Sequence, residues 1–117
     1  MRDQNVAIVE GRLVRDPELK ESSKGNTVMK FSIASNGYGS KKSYDGRSES
    51  VSYFDVIAWK EVADLYQEKL KKGQAVRVIG CLSQWRWKDD SGNFRSKISI
   101  VAQNIDFPYQ KKKPASF

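Results

Sequence analysis

This sequence predicts a small all-β barrel with a single helix, and three observations carry that prediction. Five segments show the β-branched, period-two patterning of strands. One segment between the third and fourth of them has helical spacing. The 117 residues suffice for one domain around one modest core.

The first strand is read from Asn5 to Val14, with Gly11 near its end as a candidate bulge or bend. Asp16-Pro17-Glu18 stops it, and Ser22-Ser23-Lys24-Gly25-Asn26 is a turn. The second strand runs from Thr27 to Ser35, with Val28, Lys30, Ser32 and Ala34 opposing Met29, Phe31 and Ile33. Asn36 to Ser50 is a polar stretch with three Gly, four Ser, two Tyr and three cations, read as an extended hairpin arm. On the third strand, Val51 to Trp59, alternation puts Tyr53, Asp55, Ile57 and Trp59 on one face and Phe54, Val56 and Ala58 on the core face.

Lys60 to Lys72 is the one helix, with Val62, Leu65, Tyr66, Lys69 and Leu70 on one stripe and Gly73 as its left-handed cap. The fourth strand, Gln74 to Trp87, alternates Val76, Val78 and Leu82 with Arg77, Ile79, Cys81, Trp85 and Trp87. Lys88 to Gly92 turns the chain. The fifth strand, Asn93 to Ile105, sets Phe94, Ile98 and Ile100 against Arg95, Lys97 and Ser99. An order of three strands, a helix and two strands is that of the OB-fold, a five-stranded Greek-key barrel. The domain is assigned to 1–107, and 108–117 to a short, basic, mobile tail.

Composition narrows the function classes. The chain has 21 Lys and Arg against 14 Asp and Glu, a net charge of +7 that favours polyanionic partners. Three Trp, five Tyr and five Phe exceed what so small a core hides, so some are expected at the surface. With no His and one Cys, neither a zinc site nor a Ser-His-Asp arrangement is available. No phosphate-binding Gly-rich loop ends in Lys-Ser/Thr. The expectation is a non-enzyme with no cofactor and no metal. No apolar run approaches a membrane span, and the first residues lack a signal-peptide core, so a cytoplasmic site is expected.

Strand parity assembles a candidate binding surface. Tyr53 and Trp59 share a face of the third strand, Arg77, Trp85 and Trp87 a face of the fourth, and Arg95 and Lys97 a face of the fifth. Arg86 lies between the two tryptophans, and the polar arm adds Tyr38, Lys41, Lys42 and Arg47. Aromatics interleaved with cations suit unpaired nucleic acid: bases need flat apolar platforms and phosphates need Lys or Arg. A duplex hides its base faces, so single strands are preferred. Trp85 and Trp87, exposed on one face, would be unfavourable in water without a ligand or subunit contact.

Several segments, in order and spacing, resemble bacterial and bacteriophage single-stranded DNA-binding proteins. They are Asn5 to Glu18, Phe31-Ser32-Ile33-Ala34-Ser35-Asn36, Tyr53-Phe54-Asp55-Val56-Ile57-Ala58-Trp59, Leu70-Lys71-Lys72-Gly73-Gln74-Ala75-Val76, Gly80-Cys81-Leu82 and Trp87-Lys88-Asp89-Asp90-Ser91-Gly92. The resemblance implies an OB-fold homotetramer, a dimer of dimers in which the first strand helps to pair subunits. It implies single-stranded DNA binding in replication, recombination and repair, in the bacterial nucleoid or, if phage-encoded, the host cytoplasm. Tyr38, Tyr53, Trp59 and Trp87 are the stacking residues it implies. Members usually continue into a long tail with an acidic tip that recruits replication and repair proteins, whereas this sequence ends on the basic Lys111-Lys112-Lys113-Pro114-Ala115-Ser116-Phe117. The alternative reading is a tailless primosomal-type adaptor working mainly through protein partners, and an RNA-binding OB module is a third.

Overall fold

The computed structural model describes residues 2–37 and 50–108. The chain forms six strands and one helix: β1 Ala7–Leu13, β2 Glu18–Glu21, β3 Thr27–Asn36, β4 Val51–Trp59, α1 Lys60–Tyr66, β5 Ala75–Lys88 and β6 Phe94–Asp106. The sheet order is β1-β5-β6-β4-β3-β2, and β1 also pairs with β3 through Arg12 and Leu13. That extra pairing closes five strands into the barrel expected of an OB-fold, with β2 attached outside the ring on β3. The arm 38–49 and the tail from 109 lie outside the described residues.

The core follows from alternation. Met29, Phe31 and Ile33 of β3, Val56 and Ala58 of β4, and Val76 and Val78 of β5 point inward with Leu13, Ile100, Ala102 and Ile105. On β6 the inward positions change from even to odd numbers between Ala102 and Ile105. The cause is a bulge: Ile79 faces Asn104 while Gly80 faces Ala102, leaving Gln103 as an extra residue. A Cβ on Gly80 would collide with the Val101 carbonyl, so this bend requires glycine. Gly11 marks a second close approach, since a Cβ there would meet the Ala34 carbonyl oxygen at 2.5 Å. It stands next to Arg12, which pairs with both β5 and β3, and the β1–β5 register runs through it without a bulge.

Four expectations need correction. A short β2 precedes the first turn, pairing from Glu18↔Lys30 to Glu21↔Thr27. All four of its residues are exposed, so alternation carried no signal for it. Helix α1 ends at Tyr66 instead of Lys72, and Gly73, although left-handed at φ 84°, belongs to a separate turn closed by Gln74 N–H on the Lys71 carbonyl. The buried stripe is partly as expected: Leu70 is buried and Val62 and Tyr66 pack against the core, but Leu65 is exposed, and Ala63, outside the expected stripe, is buried. Phe54, expected in the core, is 36% exposed and does not belong to the buried cluster.

The bend at Gly80 sets a test. Gly80→Ala is expected to destabilise the fold by about 1–3 kcal/mol through forced displacement of packed backbone. Urea denaturation would show a lower midpoint at an unchanged slope. An unchanged midpoint would mean that β5 and β6 part at this point without penalty.

Candidate nucleic-acid interface

Outward from the core, β3, β4, β5 and β6 contribute one continuous face. On β4 it carries Tyr53, Asp55, Ile57 and Trp59, as alternation predicts. Register sets Val28 of β3 opposite Trp59, Lys30 opposite Ile57, Ser32 opposite Asp55 and Ala34 opposite Tyr53. On the other side, β6 pairs Lys97 with Trp85 and Arg95 with Trp87 of β5. An open groove of 760 Å³ runs across this face, and Trp59 and Trp85 both line it. Val28 and Ile57 give it an apolar floor, and Arg15, Lys20, Lys30 and Lys97 bring cations to it.

Two stacking candidates flank that groove. Tyr53 is 68% exposed, two residues before Asp55 on the same face of β4. Trp87 is 46% exposed, two residues beyond Trp85 on the same face of β5. Trp59 is the N-terminal boundary residue of α1 and makes no side-chain cap; its ring faces the groove instead. The next residue, Lys60, has φ 44°, a left-handed conformation that turns the chain abruptly from β4 into α1.

The cations are less free than composition suggests. Lys97 lies 3.6 Å from a carboxylate oxygen of Asp55, and the Ser32 hydroxyl donates to the other oxygen at 2.7 Å. Arg95 donates to Asp89 at 2.9 Å. Arg77 is outside the groove lining: it bridges Glu10 at 3.0 Å and Asp106 at 3.5 Å. Arg86 has the opposite parity from Trp85 and Trp87, so it sits on the reverse of the hairpin, donating to Gln84 at 3.0 Å. Tyr38, Lys41, Lys42 and Arg47 fall in the arm outside the described residues.

Sequence reasoning missed one wall of the groove. Glu18 and Lys20 of β2 line it together with Arg15 and Asp16. The signal available was the Ser22–Asn26 turn, which becomes a hairpin turn once Ser22 N–H bonds the Asn26 carbonyl. Ser99 was also missed: it lines the groove yet is 5% exposed.

At the far end, the β5–β6 turn is built on Asp89. Its carboxylate accepts from the backbone N–H of Asn93 and Ser91 and from Arg95. These donors, the Asn93 backbone N–H foremost and Arg95 next, hold its carboxyl below the ordinary value of 3.8. The folded state thus binds this proton less tightly than the unfolded chain. The turn's extra stability is present above 3.8 and is lost as pH falls through the lower folded value. Carboxyl-resolved NMR titration is expected to give an Asp89 midpoint under 3.8, which Arg95→Gln should raise.

Comparison with known proteins agrees with this geometry. The family model described as "Single-strand binding protein family" matches residues 4–108. The single-stranded DNA-binding protein of Treponema pallidum is 40% identical over 105 residues, covering 90% of this chain and 58% of its own length. That of Borreliella burgdorferi is 37% identical over 106 residues, covering 90% and 70%. Single-stranded DNA-binding protein 2 of Chlorobaculum tepidum is 34% identical over 114 residues, covering 97% and 76%. The chain thus spans little more than half of the Treponema relative. Together with the barrel and its aromatic groove, the match over residues 4–108 shows that the chain belongs to the single-strand binding protein family.

Proposed function

We propose that this chain binds single-stranded DNA with little sequence preference, protecting and organising unpaired strands in replication, recombination and repair. The observation that carries the reading is the groove itself, where Trp59 and Trp85 stand over an apolar floor ringed by Lys20, Lys30 and Lys97. Trp59 and Trp85, with Tyr53 and Trp87 beyond the groove, offer π faces to successive bases, and the cations meet phosphates. No catalytic step is part of this reading. The relatives' names favour strand binding over the adaptor alternative. The chain is read as working where unpaired DNA is exposed, in the cytoplasm, with replication and repair proteins as further partners.

The reading extends to self-assembly through β1. Ala7 to Arg12 pair with β5 on one side, while β3 meets only Arg12 and Leu13 on the other. Val6 and Ile8 at this strand are 64% and 61% exposed. An unpaired edge beside exposed apolar side chains suits pairing with the same strand of a second copy, toward a homotetramer built as a dimer of dimers.

Titration with oligo-dT is expected to quench tryptophan fluorescence. Trp59→Ala and Trp87→Ala should each lose ~1–3 kcal/mol of affinity. Binding should weaken with salt at a log–log slope near −0.7 per phosphate contact. Equal affinity for duplex DNA would sink the reading. For assembly, Ile8→Asp is expected to lower the mass seen by sedimentation; a wild-type monomer would reject that part.

A further inference from the structure

Past the barrel, β5 and β6 continue as a two-stranded ribbon, and both of its faces meet solvent. The groove-side face carries Trp85, Trp87, Arg95 and Lys97. Opposite parity puts Arg86, Lys88 and Phe94 on the reverse face. Phe94 is 81% exposed, more than any other large hydrophobic residue among those described. Its register partner is Lys88, whose ammonium lies 5.0 Å from the ring centroid. Arg86 occupies the same face two residue pairs inward, opposite Ser96.

Charge distinguishes the two faces. Arg95 and Lys97 on the groove side are each partnered by a carboxylate, from Asp89 and Asp55. On the reverse face the positions from Gln84 to Lys88 and from Phe94 to Ile98 include no acidic residue. The outer hairpin therefore shows its uncompensated positive charge beside its most exposed ring. One exposed aromatic is ordinary on a protein surface. A flat ring with two cations of the same face, one residue pair beyond the Trp87–Arg95 pair, repeats the chemistry of the groove.

We propose that an unpaired DNA strand leaving the groove past Trp87 passes round the hairpin and engages this reverse face. Phe94 stacks a base, and Lys88 and Arg86 meet phosphates. Stacking displaces the Lys88 ammonium from the ring and frees it for a phosphate, so one exchange satisfies both groups. The absence of carboxylates favours a polyanion over a protein as occupant, and continuity with Trp87 favours the strand already bound. The proposal rests on the single-stranded DNA reading.

The test titrates the assembled full chain with dT oligomers of increasing length, comparing Phe94→Ala, the double variant Arg86→Gln/Lys88→Gln, and Trp59→Ala. Oligomers short enough to fill only the groove should bind wild type and the two hairpin variants alike. For long oligomers, Phe94→Ala should lose about tenfold in affinity, and the double variant should flatten the salt slope by about 1.4. Long-oligomer affinity and slope unchanged in both hairpin variants would overturn the proposal. So would a lower sedimentation mass for Phe94→Ala with DNA affinity intact, which would make the face a subunit contact. Trp59→Ala separates the two levels: if it too leaves every length unaffected, the strand-binding reading itself fails.

Discussion

At Gly80 the backbone of β5 comes so close to β6 that no side chain fits between them. The inner halves of the two strands bend to close the barrel, while their outer halves run on as a free ribbon. The extra residue at Gln103 resets the alternation, which turns Ile105 inward on one side of the bend and Ile100 and Ala102 inward on the other. Were the strand regular, Ile105 would face solvent and the barrel would lose one of its largest fully buried side chains. The same bend lets one pair of strands both wall the core and carry Trp85 and Trp87 outward. The proposed binding face is therefore not added to the fold; it is the outer continuation of the strands that close it.

Electrostatics on that face are moderated from within. Asp55 stands in the groove, taking a hydrogen bond from Ser32 and facing Lys97. These are exposed pairs, worth little as stabilisation in water. In the proposed complex an incoming phosphate would have to compete with Asp55 for Lys97. Asp89 stands in the same relation to Arg95 while organising the hairpin turn. Under the proposed function, a face whose cations are partly neutralised would rely on stacking more than on charge. That suits an unpaired strand, whose base faces are open, and disfavours a duplex, whose base faces are stacked away.

Much of the fold was legible because burial and alternation coincide along most strands. The stretch Ala75 to Ile79 shows why: Val76 and Val78 are fully buried, and the alternating Arg77 and Ile79 are not. Legibility failed where no side chain distinguishes inside from outside. Glu18 to Glu21 is exposed throughout, so β2 exists only through its backbone pairing with β3. In the helix, Leu65 has the hydrophobicity of a core residue but points to water, while the smaller Ala63 fits the space against the barrel. Local spacing cannot foresee how tightly a helix approaches its neighbours.

The amino-acid sequence alone determined which side chains share a face of each strand, because a period of two is a property of the extended backbone. It thereby singled out Tyr53 with Trp59 and Trp85 with Trp87, and it carried a net charge of +7 suited to a polyanion. Only the tertiary structure decided which of those faces meet. Trp59 and Trp85 line one groove, Arg77 is drawn away to Glu10 and Asp106, and Arg86 turns to the back of the hairpin beside Lys88 and Phe94. The reason is physical: parity fixes side-chain direction within one strand, whereas neighbourhood between strands depends on register, bulges and closure. Those are set by backbone contacts such as Gly80 on Val101, between residues far apart in the chain.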